Sequence, residues 1–157
     1  MAIEKVRSYL KQFGLDERIR EHSQSSATVE LAAAAVGVEG ARIAKTLSFK
    51  TKEGSPFLLI TAGDTKIDNK KFREEFHCKA KMLSPEEVLE FVGHEVGGVC
   101  PFAVSSSLPV YTDVSMQRFD TVFPAAGSSN SSVEMTCEEL FRYGNALKWV
   151  DVCKEVI

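Results

Sequence analysis

The strand patterns of this chain are short, and they follow one another without the regular strand–helix–strand alternation of a doubly wound parallel sheet. Residues 43–50 and 56–61 read as two strands of a hairpin that turns near Gly54. Further strand patterns lie at residues 18–21, 80–83, 110–113, 121–123, 133–135 and 149–152. An irregular series of this kind predicts a mixed sheet rather than a purely parallel one.

The helix patterns begin at capping residues and most of them end at glycines. Ser84-Pro85-Glu86-Glu87 combines a capping serine, a proline in the first turn and a glutamate at the third position, and Thr136 with Glu139 forms a second capping box. The predicted helices run over residues 3–13, 28–36, 69–76, 84–93 and 136–144. We therefore predict an α/β fold of the mixed α+β type, in which residues 1–157 form one domain with a core of its own.

The composition excludes several classes of protein. No run approaches the roughly 20 apolar residues of a membrane span, and charged residues interrupt residues 1–13, so we expect no signal peptide, no membrane partner and a cytoplasmic location. The cysteines form no C-x-x-C pair, and no histidine lies at ligand spacing from them. We therefore expect free thiols, no metal site and no cofactor.

The net charge of −3 conceals an uneven distribution along the sequence. Residues 1–44 are neutral overall, residues 45–81 carry nine basic and five acidic side chains, and residues 82–157 carry four basic and eleven acidic ones. The basic middle segment either faces phosphate groups or is an ordinary solvated surface. We expect no DNA partner and no tight non-specific nucleic-acid binding.

Lys45 interrupts the apolar face of the strand predicted at residues 43–50. Alternate residues of a strand share a face, so Lys45 lies with Ile43, Leu47 and Phe49. Burial of an ammonium group is unfavourable unless the group is paired or borders a polar cavity. Lys45 is therefore a candidate for a pocket that needs a positive charge; the alternative is an edge position from which the side chain extends into water.

Two loops rich in small residues are further candidates for a binding site. In residues 96–102, a pair of glycines either exposes backbone N–H groups to a ligand or forms a tight turn. Residues 125–131 either wall a pocket and offer hydroxyls or form an ordinary surface loop. Cys100 is a candidate nucleophile only if a base such as His94 lowers the pKa of its thiol, and nothing local supplies that base.

Three motifs occur in order along the chain: Gly37 followed by Ile43-Ala44-Lys45-Thr46-Leu47, then Gly97-Gly98-Val99-Cys100-Pro101-Phe102, then Gly127 followed by Val133-Glu134. Together they resemble the YbaK family of prolyl-tRNA-editing domains, over about residues 1–153. The resemblance implies a barrel-like mixed sheet with flanking helices. It also implies an enzyme that hydrolyses the ester of mischarged tRNA without a metal or cofactor.

The resemblance further implies a substrate, partners and site residues. The amino acid removed is Ala, Ser, Thr or Cys, on tRNA for proline; the partners are the tRNA 3′ acceptor end and an aminoacyl-tRNA synthetase. Lys45 falls on the family lysine, and the expected catalytic residues are Lys45, Gly97 and Gly98. The expected substrate-binding residues are Thr46, Cys100, Pro101, Gly127, Ser128 and Ser129.

The sequence departs from the family pattern at two places. Cys100 stands where many members have serine, and the loop Gly127-Ser128-Ser129-Asn130 lacks the basic residue of the family's corresponding loop. The missing charge keeps a second hypothesis open, a non-catalytic protein that binds an aminoacyl or nucleotide ligand and regulates a synthetase. A third hypothesis is a hydrolase with Cys100 as the nucleophile.

Overall fold

The computed structural model describes residues 2–156 and contains a six-stranded mixed sheet that curls into a half-barrel. The strands are β1 (Ile19–Glu21), β2 (Ile43–Lys50), β3 (Pro56–Ala62), β4 (Thr65–Ile67), β5 (Val110–Asp113), β6 (Thr121–Pro124), β7 (Ser131–Val133), β8 (Met135–Thr136), β9 (Lys148–Val150) and β10 (Cys153–Glu155). The order in the large sheet is β8-β6-β2-β3-β5-β9. Pairs β2–β3 and β6–β8 are antiparallel, whereas β2–β6, β3–β5 and β5–β9 are parallel, which confirms the predicted mixed sheet.

The helices surround this sheet: α1 (Ala2–Lys11), α2 (Val29–Val36), α3 (Asn69–Phe76), α4 (Pro85–Phe91) and α5 (Cys137–Tyr143). The predicted caps are present, because the Thr28 side chain accepts a hydrogen bond from Leu31 N and both capping boxes, at Ser84 and Thr136, form completely. Within residues 2–156, no helix has the length and apolar character that crossing a bilayer requires.

Two short strand pairs lie outside the large sheet, β1 with β7 and β4 with β10. The sequence did not predict β4 or β10, each of which has three residues and a partner far away in the chain. The strand predicted at residues 80–83 is reduced to a single bridge between Met82 and Phe49. Such short elements have no periodicity of their own, because their pairing depends on which segments the fold brings together.

Apolar side chains cover both faces of the sheet. The larger cluster joins Leu58, Ile60 and Val110 of the sheet to apolar residues of α1, α4 and α5. On the opposite face, Phe49 and other sheet residues pack against α3, and a third cluster joins Ile43 to α2. β2 is therefore buried at residues 43–44 and 48–49 and half-buried between them, and this leaves Lys45 between two apolar clusters on one strand face.

Candidate functional site

A cavity of about 450 Å³ opens beside β2. This volume falls within the roughly 300–1,000 Å³ that is typical of small-molecule sites. The start of α2, the middle of β2, the segment from residue 82 to residue 99 and the segment that leads into β7 surround it. Most of its wall is apolar, and its polar side chains are Ser26, Thr28, Lys45, Thr46, Ser48, Ser131 and Ser132.

The middle of β2 has a neighbouring strand on one side only. β3 pairs with β2 from Ala44 onward, whereas on the opposite edge β6 pairs only with the first two residues of β2. Farther along this edge of β2, the next residue that pairs with the strand is Met82, which forms an isolated bridge with Phe49. Residues 45–47 therefore form an unpaired strand edge at the cavity, and such an edge presents backbone groups that a ligand can use.

Lys45 lies on this unpaired edge and is half-buried. Its Nζ donates a hydrogen bond to the backbone carbonyl of Thr65. None of the ion pairs between residues 2 and 156 includes Lys45. Burial lowers the pKa of Lys45 from its ordinary value, and the nearby Cys153, Asp64 and Glu30 oppose that shift. Because an ammonium has more donors than the one that Thr65 accepts, Lys45 retains donors for an anionic ligand.

The turn between β3 and β4 holds the carbonyl that Lys45 contacts. Thr65 Oγ1 donates a hydrogen bond of 2.7 Å to Ala62 O, and Thr65 pairs with a residue of β10. A Cβ on Gly63 would overlap the carbonyl oxygen of Gly40, so glycine allows the turn to pack directly on that backbone. The hydrogen-bond acceptor for Lys45 is thus fixed by contacts on several sides.

The two glycine loops of the sequence pack against each other next to the cavity. A Cβ on Gly98 would lie 2.7 Å from Ser128 N and 2.8 Å from the carbonyl carbon of Gly127. The segment before α2 joins the same loop, because Ser26 N donates a hydrogen bond of 2.6 Å to Ser129 O. Three segments that are distant in sequence therefore meet at one place.

Three of the residues predicted from the sequence, Lys45, Thr46 and Gly97, line the cavity. Gly97 has a φ of +97°, a backbone conformation that a side chain would strain. Four more of the predicted residues do not line the cavity: Gly98, Gly127, Ser128 and Ser129. They lie where the two loops contact each other and hold the loops together. Gly98 instead lies where the two loops approach closely, and its predicted catalytic role stays a prediction.

Cys100 and Pro101 are also not among the described residues that line the cavity, and their predicted role in substrate binding stays a prediction. Cys100 is fully buried in the larger apolar cluster. Pro101 is buried next to Gly144, at the end of α5. A Cβ added to Gly144 would lie 3.0 Å from Pro101 Cγ. Val99 is the last residue of this loop at the cavity, because the chain then turns into the core.

Cys100 and His94 form a buried pair, with Sγ 3.5 Å from Nε2. Burial raises the pKa of the Cys100 thiol to about 12 and lowers the pKa of His94 from its ordinary value. Nucleophilic cysteines require an accessible thiolate, whereas this thiol is protonated and enclosed. The pair that the Cys100 hypothesis needs is present, but its surroundings do not support that hypothesis. Within residues 2–156, no cluster of histidine, cysteine or acidic side chains is arranged to hold a metal ion.

We expect the Cys100 thiol to resist alkylation in the folded protein. Iodoacetamide at pH 8 should modify the partly exposed Cys78 first and label Cys100 roughly a hundredfold more slowly, because reaction requires local opening of the core. Mass spectrometry of peptides after timed labelling gives both rates, and labelling in denaturant is the control. Equal rates for the two cysteines in the folded protein would contradict the placement of Cys100.

Of the buried serines of the cavity, Ser131 belongs to the candidate loop at residues 125–131, whereas Ser48 and Ser132 were not predicted. Ser48, Ser131 and Ser132 are buried and line it, and Ser132 Oγ lies 3.0 Å from His22 Nε2. Thr46 Oγ1 is buried without a hydrogen-bond partner among the described residues. Strand alternation, which places Thr46 and Ser48 on one face, was the only available signal, since a serine that faces a cavity looks like a surface serine in the sequence.

Comparison with known proteins identifies relatives that share these segments. Residues 23–143 match the family described as "Aminoacyl-tRNA editing domain". "Uncharacterized protein YwhH" of Bacillus subtilis is 50% identical over 155 residues, which cover 99% of each chain. "Putative Cys-tRNA(Pro)/Cys-tRNA(Cys) deacylase EbsC" of Enterococcus faecalis is 24% identical over 124 residues, which cover 78% of this chain and 76% of that one.

One solved structure has a similar fold over almost the whole chain. It is described as "Crystal structure of a putative trans-editing enzyme for prolyl tRNA synthetase" and superimposes with a TM-score of 0.86 at 28% sequence identity. The match covers 98% of this chain and 97% of that chain. The cavity beside β2 therefore lies in a fold that is shared along its full length.

Proposed function

This chain belongs to the aminoacyl-tRNA editing domain family, and we propose that it removes a wrongly attached amino acid from tRNA by hydrolysing the aminoacyl ester. Lys45 is the observation that carries the proposal: a half-buried ammonium beside a mostly apolar cavity, with no carboxylate partner within residues 2–156 and with hydrogen-bond donors to spare. Such a cation suits a substrate whose ester lies next to ribose and phosphate groups. The names of two relatives, a deacylase and a trans-editing enzyme, support the same reaction.

In the proposed reaction, a water molecule attacks the carbonyl carbon of the ester. The bond between that carbon and the ribose oxygen then breaks. The ribose oxygen takes one proton of the attacking water, the other proton is released to solvent, and the amino acid leaves as a carboxylate. Among the described residues, those that line the cavity include no aspartate, glutamate or histidine. The proposal therefore assigns the acceleration to positioning and electrostatic stabilisation of a reactive ester, with help from a hydroxyl or thiol of the substrate.

Lys45 has a defined part in this proposal. Its ammonium binds the terminal phosphate, the ribose or the aminoacyl carbonyl, and it stabilises the negative charge that develops as water attacks. Two features of Thr46 support binding next to Lys45: its backbone lies on the unpaired edge of β2, and its Oγ1 has no partner among the described residues. Gly97, at φ +97°, brings the opposite loop to the cavity without a side chain in the way.

For the substrate, we propose tRNA for proline that carries Ala, Ser, Thr or Cys. The names of two relatives, one for Cys-tRNA(Pro) and one for prolyl tRNA synthetase, support tRNA for proline and, among the amino acids, Cys. The synthetase that charges the tRNA is the proposed protein partner, and the cytoplasm, where translation occurs, is the proposed location. No cofactor takes part in the proposed reaction.

A panel of mischarged tRNAs tests the proposal. We expect the protein to accelerate the release of at least one of Ala, Ser, Thr or Cys from tRNA for proline by more than about a hundredfold, and to leave correctly charged Pro-tRNA intact. Loss of radiolabelled amino acid from acid-precipitable tRNA measures the rate. A protein that only binds the ligand would protect the ester instead, so slower loss across the whole panel would overturn the proposal.

A further inference from the structure

A second concave surface, which we call the basic groove, lies beside residues 79–83, the segment whose Met82 and Leu83 border the cavity. It has a volume of about 890 Å³ and is formed by the turn between β2 and β3, the end of α3 and residues 79–81. Its charged and titratable side chains are Lys50, Lys52, Glu53, Arg73, His77, Lys79 and Lys81. Five of these are permanent cations at neutral pH and only one is a carboxylate, so the groove is strongly positive.

Most of these cations have no acidic partner. Lys50 Nζ lies 2.9 Å from a carboxylate oxygen of Glu87. Lys52, Arg73, Lys79 and Lys81 are exposed and take part in none of the ion pairs within residues 2–156. The groove therefore brings together four cations that form no ion pair within residues 2–156 and only one carboxylate, Glu53.

The groove adjoins the cavity across one paired segment. Lys50 N donates a hydrogen bond of 2.9 Å to Lys81 O, so the two residues belong to one paired segment. Ser48 and Met82, on the same paired segment, line the cavity, whereas Lys50 and Lys81 line the groove. A polymer that enters the cavity by one end can therefore pass over this segment and reach the cations without leaving the protein surface.

We propose that the basic groove binds the phosphate backbone of the tRNA acceptor stem while the 3′ end occupies the cavity. This inference rests on the proposed function, because that function supplies a polyanion anchored next to the groove. The groove matches such a partner in three respects: it is concave, its free charges are exposed, and it adjoins the site of the reacting end. Phosphate contacts of this kind position a nucleic acid without reading its sequence.

The Lys79→Ala/Lys81→Ala double variant tests the groove by its binding to an uncharged acceptor-stem minihelix. Fluorescence anisotropy should show roughly tenfold to a hundredfold weaker binding at low salt. The slope of log affinity against log salt should fall in magnitude by about two, since each phosphate contact contributes roughly one. The control is the Lys5→Ala/Lys11→Ala double variant, which removes two exposed lysines from α1 that line neither the cavity nor the groove.

Deacylation of two substrates separates this inference from the proposed function. On mischarged minihelix, the Lys79→Ala/Lys81→Ala protein should lose at least about tenfold in kcat/KM, whereas on an aminoacylated CCA trinucleotide it should match the unmodified protein. Equal losses on both substrates would overturn the groove assignment, because the lysines would then act on the cavity. If no substrate is hydrolysed, the proposed function fails while minihelix binding still tests the groove. Unchanged minihelix affinity, or binding to anionic phosphatidylserine vesicles instead, would overturn it.

Discussion

Replacement of Lys45 by methionine is expected to reduce deacylation of mischarged tRNA by about a hundredfold to a thousandfold, comparable with the loss of one group that stabilises a developing oxyanion. The same change should leave the protein folded. Burial disfavours the ammonium and lowers the pKa of Lys45, whereas methionine has a similar length without the charge. Single-turnover kinetics measure the first effect, and the thermal unfolding midpoint, which should not fall, measures the second.

Lys66→Met is the matched control for this experiment. Lys66 follows Thr65, whose carbonyl accepts the hydrogen bond from Lys45, but its side chain is exposed and does not line the cavity. We expect this variant to retain deacylation within about twofold, since exposed substitutions of this kind have small effects. A folded Lys45→Met protein that hydrolyses every mischarged tRNA at the normal rate would show that the proposed mechanism is wrong.

The second large effect is expected for Gly98→Ala. The added Cβ would lie 2.7–2.8 Å from backbone atoms of Gly127 and Ser128, so the two loops must separate. Such overpacking should lower the free energy of unfolding by about 2–3 kcal/mol and the unfolding midpoint by roughly 5–10 °C. Because Gly97 lines the cavity next to this contact, deacylation should fall as well. Chemical denaturation and single-turnover kinetics measure the two losses.

Gly40→Ala is the control for the loop contact. A Cβ on Gly40 would have only Val29 Cγ1 within 4 Å, at 3.3 Å, and a valine methyl group can move by the small distance required. We expect a change in the free energy of unfolding below about 1 kcal/mol. If Gly98→Ala is as stable and as active as Gly40→Ala, the close approach of the two glycine loops is not needed for the fold or the site.

Much of the fold was predictable from local sequence patterns. The helix α3 and the strand β2 have the predicted bounds, since a capping aspartate marks the first and strand alternation marks the second. The predicted mixed sheet is confirmed, whereas β4 and β10 were missed. The first helix ends at Lys11, before the predicted Phe13, because helix ends depend on capping geometry more than on periodicity.

The site was predictable only in outline. The single charge on an apolar strand face drew attention to Lys45, and the paired glycines drew attention to the loop at residues 97–98. Nothing in the sequence indicates that His94 lies 3.5 Å from the sulfur of the buried Cys100. The excess of positive charge in residues 45–81 was visible in the sequence as well. The sequence did not indicate that part of this charge forms one groove.

The sequence by itself determined the features that depend on neighbouring residues: where helices begin, where β2 and β3 turn, and which side chains share a strand face with Lys45. Residues up to four positions apart, or alternate residues, interact in nearly the same way in any fold. The tertiary structure alone decided that β6 leaves β2 after Ala44, that Thr65 accepts a hydrogen bond from Lys45, and that Gly98 meets the loop at residues 127–128. Those contacts join distant segments, so they exist only once the whole chain has packed. The cavity beside β2 arises from them.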